Sequence, residues 1–135
     1  MNKQAKTILI VDDDSDYLFQ TKLKIEKFGF NAIVADSQAE AEKLILTIKP
    51  DLAILDLMME QDDSGFILAY KMKKKYPDVP IIIATAVTAE TGMIFNLNSE
   101  EERQWIKADL YLDKGIRSDQ LLKEINKLFA AKGTH

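Results

Sequence analysis

The feature that most constrains this chain is the alternation of short, wholly apolar runs with longer amphipathic segments. Five runs of strand length are rich in Ile, Leu and Val, and several of the segments between them have apolar residues at helical spacing. Strands that are apolar on both faces form a parallel sheet with helices on both sides. Right-handed crossovers then give a doubly wound α/β domain. The predicted strands are Thr7–Val11, Asn31–Ala35, Leu52–Leu55, Val79–Ala84 and Leu110–Leu112.

Local end signals predict where the helices begin and end. Asp14 or Ser15 caps a first helix over 15–28, and Gly29 follows its end. A capping box that begins at Ser37 opens a second helix. The same reasoning predicts three further helices, over about 65–75, 100–107 and 118–129.

Composition indicates one domain and disfavours several classes of site. The 135 residues include no Cys, and the single His is the last residue, so disulfides and thiolate zinc sites are excluded and imidazole chemistry is disfavoured. A net charge of −4 offers no general attraction to nucleic acid, so we expect no direct nucleic-acid partner. No apolar run reaches the roughly 20 residues of a membrane-spanning helix, so we expect no membrane contact and a cytoplasmic protein. One domain over 1–135, with a core at about 6–129, is predicted.

Acidic residues stand where two of the predicted strands end. Asp12 and Asp13 follow the first strand, and Asp56 follows the third. Ligands of doubly wound sheets bind beyond the carboxyl ends of the strands, so we expect these carboxylates to lie close together. Their mutual repulsion requires a compensating charge. Mg²⁺, held by carboxylates, waters and phosphate oxygens, fits this requirement best.

The remaining strand ends complete the pattern with a hydroxyl and a cation. Thr85 ends the fourth strand, and Lys114 follows the fifth. Taken singly, each of these residues is an ordinary strand threonine or surface lysine. Together with the acids they suit phosphoryl transfer, because a carboxylate can be the nucleophile while a metal and a lysine neutralise the phosphoryl oxygens.

The motifs at these strand ends resemble the receiver domain of two-component response regulators, over about 6–129. The resemblance implies a flavodoxin-like, five-stranded parallel sheet of order 2-1-3-4-5 with five helices. It implies a signalling domain in a phosphorelay, which catalyses only its own phosphorylation and slow dephosphorylation. The motifs are Ile8–Asp14, Leu55–Met59, Gly65, Pro80–Ala86 and Tyr111–Lys114.

The resemblance assigns the acids to phosphate acceptance and metal binding. Asp56 would accept a phosphoryl group from a phosphohistidine of a sensor histidine kinase or a histidine phosphotransfer protein. Asp13 would bind Mg²⁺ directly and Asp12 through water. Asp56 itself and the backbone carbonyl of Met58 would be the other protein ligands.

The resemblance assigns the later motifs to the switch. Thr85, Ala86 and Lys114 would bind the phosphoryl group, and Tyr111 would change rotamer as Thr85 moves. The fifth strand and the helices on either side of it in the chain would then change their affinity for a downstream protein target. A homodimer is a further partner that this reasoning leaves open.

Three departures from the family pattern stand out. Gly115 occupies the place of a usual Pro, so Lys114 is less securely positioned. The loop between Asp56 and Gly65 is about one residue longer than usual. The region between the fourth strand and the following helix is enlarged over about 87–99, and its apolar residues either cover the sheet or form a patch for a partner or a second copy.

Other functions remain as alternatives to phosphate acceptance. A receiver-like domain could act only as a docking module without being phosphorylated. The Asp12-x-Asp14 pattern also partly fits haloacid-dehalogenase-like phosphatases, although no cap domain or late acidic pair is evident. An EF-hand is excluded because Tyr17 and Leu23 occupy the positions that require Gly and Glu. Six residues follow Phe129, so we expect either a stand-alone receiver or a fragment of a longer protein.

Overall fold

A computed structural model describes residues 5–59, 64–85 and 108–132. Within these ranges, five parallel strands form one sheet in the order β2-β1-β3-β4-β5, which confirms the predicted fold class. The strands are β1 (Thr7–Val11), β2 (Asn31–Ala35), β3 (Leu52–Asp56), β4 (Ile81–Thr85) and β5 (Leu110–Asp113). The described helices are α1 (Ser15–Lys27), α2 (Gln38–Thr47), α3 (Ser64–Lys75) and α4 (Ser118–Lys132).

Alternate residues of each strand face two separate apolar cores. One core lies between the sheet and helices α2 and α3, and the other lies between the sheet and helices α1 and α4. Every residue of β3 and β4 is buried, because both faces of these central strands are covered. Representative members are Leu9, Leu55, Ile83, Ala41 and Leu68 in the first core, and Ile8, Ile54, Ile82, Ile25 and Ile125 in the second.

The predicted helix-end signals are confirmed where they can be checked. Asp14 caps α1, since its carboxylate accepts hydrogen bonds from the backbone N–H groups of Asp16 and Tyr17. Gly29, with φ of 100°, takes the left-handed conformation that ends the helix. The hydroxyl of Ser37 accepts a hydrogen bond of 3.0 Å from the N–H of residue 40 at the start of α2.

The predicted boundaries of β4 were wrong by two residues at its start. Val79 and Pro80 are buried like strand residues, but the Val79 N–H bonds to the Tyr76 carbonyl in the turn after α3, at 3.1 Å. Pro80 has no N–H to give to a neighbouring strand. Regular pairing therefore begins at Ile81, whose N–H is held by the carboxylate of Asp109 at 2.7 Å.

The apolar residues of α1 do not all face the core. Leu18, Thr21 and Ile25 form the buried stripe of this helix. Phe19 and Leu23 instead lie on the exposed side, with 60% and 48% of their surfaces accessible. A buried threonine therefore takes a position in the stripe that the apolar residues alone do not reveal.

Several predictions fall outside the described residues. They concern the helix over 100–107, the enlarged region over about 87–99 and Ala86. The single-domain boundaries also stay a prediction. Among the helices that the structure describes, none has the length and apolar character needed to cross a membrane.

Gly65 allows α3 to start directly against the end of β3. Its N–H donates a hydrogen bond of 2.7 Å to the carbonyl of Leu57. A Cβ atom at this position would collide with the carbonyl oxygen of Asp56 and lie 2.7 Å from the Cα of Leu57. Backbone atoms cannot rotate away as a side chain can, so only glycine fits without moving the strand end.

Replacement of Gly65 by alanine should destabilise the protein by about 2–3 kcal/mol, the upper part of the range for overpacking. Urea unfolding of the purified variant measures this. Gly115→Ala is the matched control, because the nearest atom to its added Cβ is a side-chain oxygen of Asp113 at 3.3 Å. That control should change stability by less than about 1 kcal/mol. Equal effects at the two positions would contradict the close approach at Gly65.

Candidate functional site

The fold brings the three predicted carboxylates together at one edge of the sheet. Asp12 and Asp13 follow β1, Asp56 ends β3, and these two strands are direct neighbours. One oxygen from each carboxylate lies within 4.8 Å of the other two. Asp12 and Asp56 are buried, whereas Asp13 is exposed. We call these three residues the acidic cluster.

Asp12 is held in place by backbone contacts as well as by charge. Its N–H donates to the carbonyl of Ala35 at 3.1 Å, which extends the pairing of β1 with β2. Its Oδ1 accepts a hydrogen bond of 2.9 Å from the N–H of Asp14. The second oxygen, Oδ2, is therefore directed at the site, where it lies 2.8 Å from Nζ of Lys114.

Lys114 brings a positive charge to the cluster from the end of the edge strand β5. Its Nζ lies 3.2 Å from Oδ1 of Asp56 in addition to its contact with Asp12, and 17% of its side-chain surface is accessible. Its backbone N–H donates to the carbonyl of Thr85 at 2.8 Å, which ties the ends of β4 and β5 together. Burial lowers the pKa of Lys114, but the two carboxylates outweigh burial, so the pKa is raised and the ammonium stays charged.

Asp56 is the acid whose ionisation the site opposes most clearly. Burial and the neighbouring charge of Asp12 raise its pKa from 3.8 to about 6, although Lys114 acts in the opposite direction. The ionised form therefore predominates at neutral pH, but it is less favourable than in an aspartate surrounded by water. A carboxylate in this state gains from any cation that binds beside it.

The donor set of the acidic cluster fits a hard divalent cation. Three carboxylates supply only oxygen ligands, and Mg²⁺ is bound in proteins through one or two carboxylates plus waters and phosphate oxygens. The exposed position of Asp13 leaves room for water and for a phosphate on that side. The single ammonium of Lys114 balances only part of the charge.

The other predicted site residues that the structure describes are Thr85, Met58 and Tyr111. Thr85 is buried at the end of β4, next to Lys114 through the backbone contact above. Met58 is 44% exposed just beyond Asp56. Tyr111 of β5 packs edge-on against Phe66, with ring centroids 6.3 Å apart, and burial raises its pKa to about 12. Their functional roles remain predictions.

Tyr17 is a residue of this site that the sequence reasoning missed. The centroid of its ring lies 4.7 Å from Nζ of Lys114. The available signal was its place in the first turn of α1, just after the acids that follow β1. Nothing in the sequence indicated that a lysine from the end of β5 would reach that ring.

Comparison with known proteins agrees with this geometry. The family model described as response regulator receiver domain matches residues 8–126. The chain belongs to the response regulator receiver domain family. This receiver domain is therefore assigned to two-component signalling, and its acidic cluster fits the phosphoacceptor site of such domains. The family is one of signalling domains, which disfavours the phosphatase alternative.

Relatives of known sequence are full-length regulators. The receiver domain is 31% identical over 131 residues to the phosphate regulon transcriptional regulatory protein PhoB of Pseudomonas aeruginosa, covering 96% of this chain and 54% of that protein. It is 33% identical over 130 residues to response regulator SaeR of Staphylococcus epidermidis, covering 95% and 53%. The chain thus spans about half the length of these two relatives.

Solved structures of similar sequence share the fold. A CheY-like response regulator receiver domain protein from Methanospirillum hungatei matches with a TM-score of 0.79 and 27% identity, covering 96% of this chain and 97% of that one. Response regulator protein TrrA from Thermotoga maritima, in complex with Mg²⁺ and BeF, matches with a TM-score of 0.74 and 30% identity. That match covers 91% of this chain and 98% of the other.

Asp56→Asn should make the metal-free protein more stable at neutral pH. A pKa raised from 3.8 to about 6 corresponds to about 3 kcal/mol of cost for ionising Asp56 in the folded state. That cost already includes the contact with Lys114, so removing the charge with asparagine should stabilise the protein by up to about 3 kcal/mol at pH 7.5. Urea unfolding without metal measures the gain.

The pH dependence gives a second check on the same variant. The folded protein holds the Asp56 proton more tightly than the unfolded chain does, so the stability from this group is full below about pH 4 and is lost as pH rises through about 6. The advantage of the asparagine variant should therefore disappear near pH 4. Asp16→Asn, which removes an exposed charge from α1, should show no such gain. A variant at Asp56 that is less stable than wild type at pH 7.5 would contradict the repulsion.

Proposed function

We propose that Asp56 of this chain accepts a phosphoryl group in a Mg²⁺-dependent reaction, and that the phosphorylated form binds a protein partner differently. The observation that supports this most is the acidic cluster itself, with Lys114 in contact with both Asp12 and Asp56. A nucleophile, a metal site and a cation for the phosphoryl oxygens then occupy one edge of the sheet.

Each residue of the pocket has a separate part in this reaction. An oxygen of Asp56 attacks phosphorus and forms the new O–P bond, while the P–N bond of a donor phosphohistidine that is protonated on its other ring nitrogen breaks. The bonding electron pair stays on the ring, which leaves as neutral imidazole. Asp12, Asp13, Asp56 and the carbonyl of Met58 would hold Mg²⁺, which supplies positive charge for the phosphoryl oxygens. Lys114 moves its ammonium from Asp56 to those oxygens, because the phosphoryl group added to Asp56 carries more negative charge than the carboxylate did.

The donor in this proposal is a second protein. The sequence has one His, residue 135, so we place the donor phosphohistidine on another protein. A sensor histidine kinase or a histidine phosphotransfer protein would supply the phosphoryl group. PhoB and SaeR are named as regulators, and this supports the same partner class for the receiver domain.

The switch follows from the link between the last two strands. Lys114 and Thr85 share a backbone hydrogen bond, so a pull on either residue by a phosphoryl group moves the ends of β4 and β5 together. Thr85 and Ala86 would bind the phosphoryl group, and Tyr111 on β5 would adjust its ring as Thr85 moves. The surface around β5 then changes its affinity for a downstream protein. That protein can shift the equilibrium between the two states only by as much as its affinities for them differ.

Radiolabelled acetyl phosphate with Mg²⁺ tests phosphate acceptance without any partner. The wild-type chain should incorporate label, and Asp56→Asn should incorporate none, because an amide is not a nucleophile for phosphorus. Removal of the metal with a chelator should also abolish labelling.

A matched control separates acceptance from general damage. Asp51→Asn changes a carboxylate at the opposite end of β3, which accepts a hydrogen bond from the N–H of Thr7 at 2.7 Å. This variant should still be labelled. Undiminished labelling of the Asp56 variant would overturn the proposal, and an unlabelled wild type would favour a docking module that is not phosphorylated.

Slow loss of the phosphoryl group is the second expectation. Met58 and Val87 stand two positions beyond Asp56 and Thr85, and apolar residues there cannot orient a water for attack. Met58→Asn should shorten the half-life of the labelled protein severalfold, whereas Met58→Leu should leave it unchanged. The half-life is measured by following label after removal of acetyl phosphate. A wild-type half-life of seconds would contradict this expectation.

A further inference from the structure

Lys114 reaches the acidic cluster on a long and flexible side chain. Its four-carbon stem has about 2 kcal/mol of rotamer entropy to lose when the ammonium is fixed. The backbone around it is well held, since the Lys114 N–H bonds to Thr85 and the Gly115 N–H bonds to the carboxylate of Asp113 at 2.7 Å. These contacts fix the Cα atom and leave the ammonium to be positioned by what surrounds it.

Among the described residues, two carboxylates and one aromatic ring surround the ammonium. Asp12 and Asp56 lie at 2.8 and 3.2 Å, and the ring of Tyr17 has its centroid at 4.7 Å. A cation within about 6 Å of an aromatic centroid is attracted by the electron density of the ring face. The contact is stronger here than at an open surface, because Lys114 is largely shielded from water.

Tyr17 is itself fixed in position. Its backbone N–H donates to the capping carboxylate of Asp14 at 3.3 Å, which holds the residue in the first turn of α1. Burial raises the pKa of the Tyr17 hydroxyl, so the ring remains neutral at physiological pH. The attraction is therefore a cation–π contact and not an ion pair with a phenolate.

We infer that Tyr17 is a positioning residue for Lys114, which confines the ammonium above Asp12 and Asp56 and stays in contact as the ammonium shifts to a phosphoryl group. The two ion pairs draw the ammonium toward particular carboxylate oxygens, whereas attraction to a ring face tolerates a sideways movement. This inference rests on the proposed function, in which Asp56 receives the phosphoryl group. Tyr17 acts through Lys114 and touches no reacting atom.

A double-mutant cycle tests the coupling between ring and ammonium. Tyr17→Leu should lower the labelling rate with acetyl phosphate and Mg²⁺ by about 3- to 10-fold, the range for a partly desolvated cation–π contact. Tyr17→Phe should stay within about 2-fold of wild type, because it keeps the ring face and loses only the hydroxyl. In a Lys114→Met background, Tyr17→Leu should have no further effect.

Two results would overturn the inference. One is Tyr17→Leu labelling at the wild-type rate, and the other is an equal slowing with and without Lys114, which would make Tyr17 only structural. If the Lys114→Met protein labels too slowly to measure, NMR spectroscopy tests the contact directly. The ε-methylene protons of Lys114 should show a ring-current shift in wild type and Tyr17→Phe and lose it in Tyr17→Leu.

The NMR readout also separates this inference from the proposed function. It is recorded on the unphosphorylated chain, so it reports the contact even if Asp56 accepts no phosphoryl group. A wild type that shows the shift but takes no label would mean that phosphate acceptance is wrong while the contact exists. A wild type that takes label but shows no shift would mean that Tyr17 does not position Lys114.

Discussion

Repulsion among the carboxylates of the acidic cluster is the constraint on which the rest of this site depends. Two of the three acids are buried, and burial removes the water that would otherwise screen them. Within the part of the chain that the structure describes, the ammonium of Lys114 pairs with two of the acids and offsets part of this charge. A site with this remaining imbalance favours cations and responds strongly to any change in its own charge.

The fold tolerates this imbalance because its strands are anchored away from the site. Two apolar cores hold the central strands from both faces, so the strand ends stay in register although the charges at their tips repel. Gly65 allows α3 to begin directly against the end of β3. At the opposite end of the sheet, the carboxylate of Asp109 is paired with Lys73 at 2.9 Å and also holds the start of β4.

Much of this arrangement could be predicted from the sequence because it depends on local patterns. Wholly apolar runs predicted the parallel sheet, and the acids at strand ends then predicted the cluster without any knowledge of distances. The start of β4 could not be predicted from its buried residues, since the missing N–H of Pro80 and not hydrophobicity decides where pairing begins. The contact of Tyr17 with Lys114 could not be predicted either, because it joins α1 to a residue that follows the edge strand β5. It also depends on the conformation of one long side chain.

The position of Lys114 connects the charge of the site to the movement of the strands. Its ammonium contacts β1, β3 and α1 through Asp12, Asp56 and Tyr17, while its backbone is bonded to the end of β4. In the proposed switch, a phosphoryl group on Asp56 draws the ammonium and therefore pulls on the linked ends of β4 and β5. Every residue of β3 and β4 is buried, so the movement of β4 is limited to its end. β5 is an edge strand whose residues are partly buried or exposed, so the pull reaches the surface around that strand.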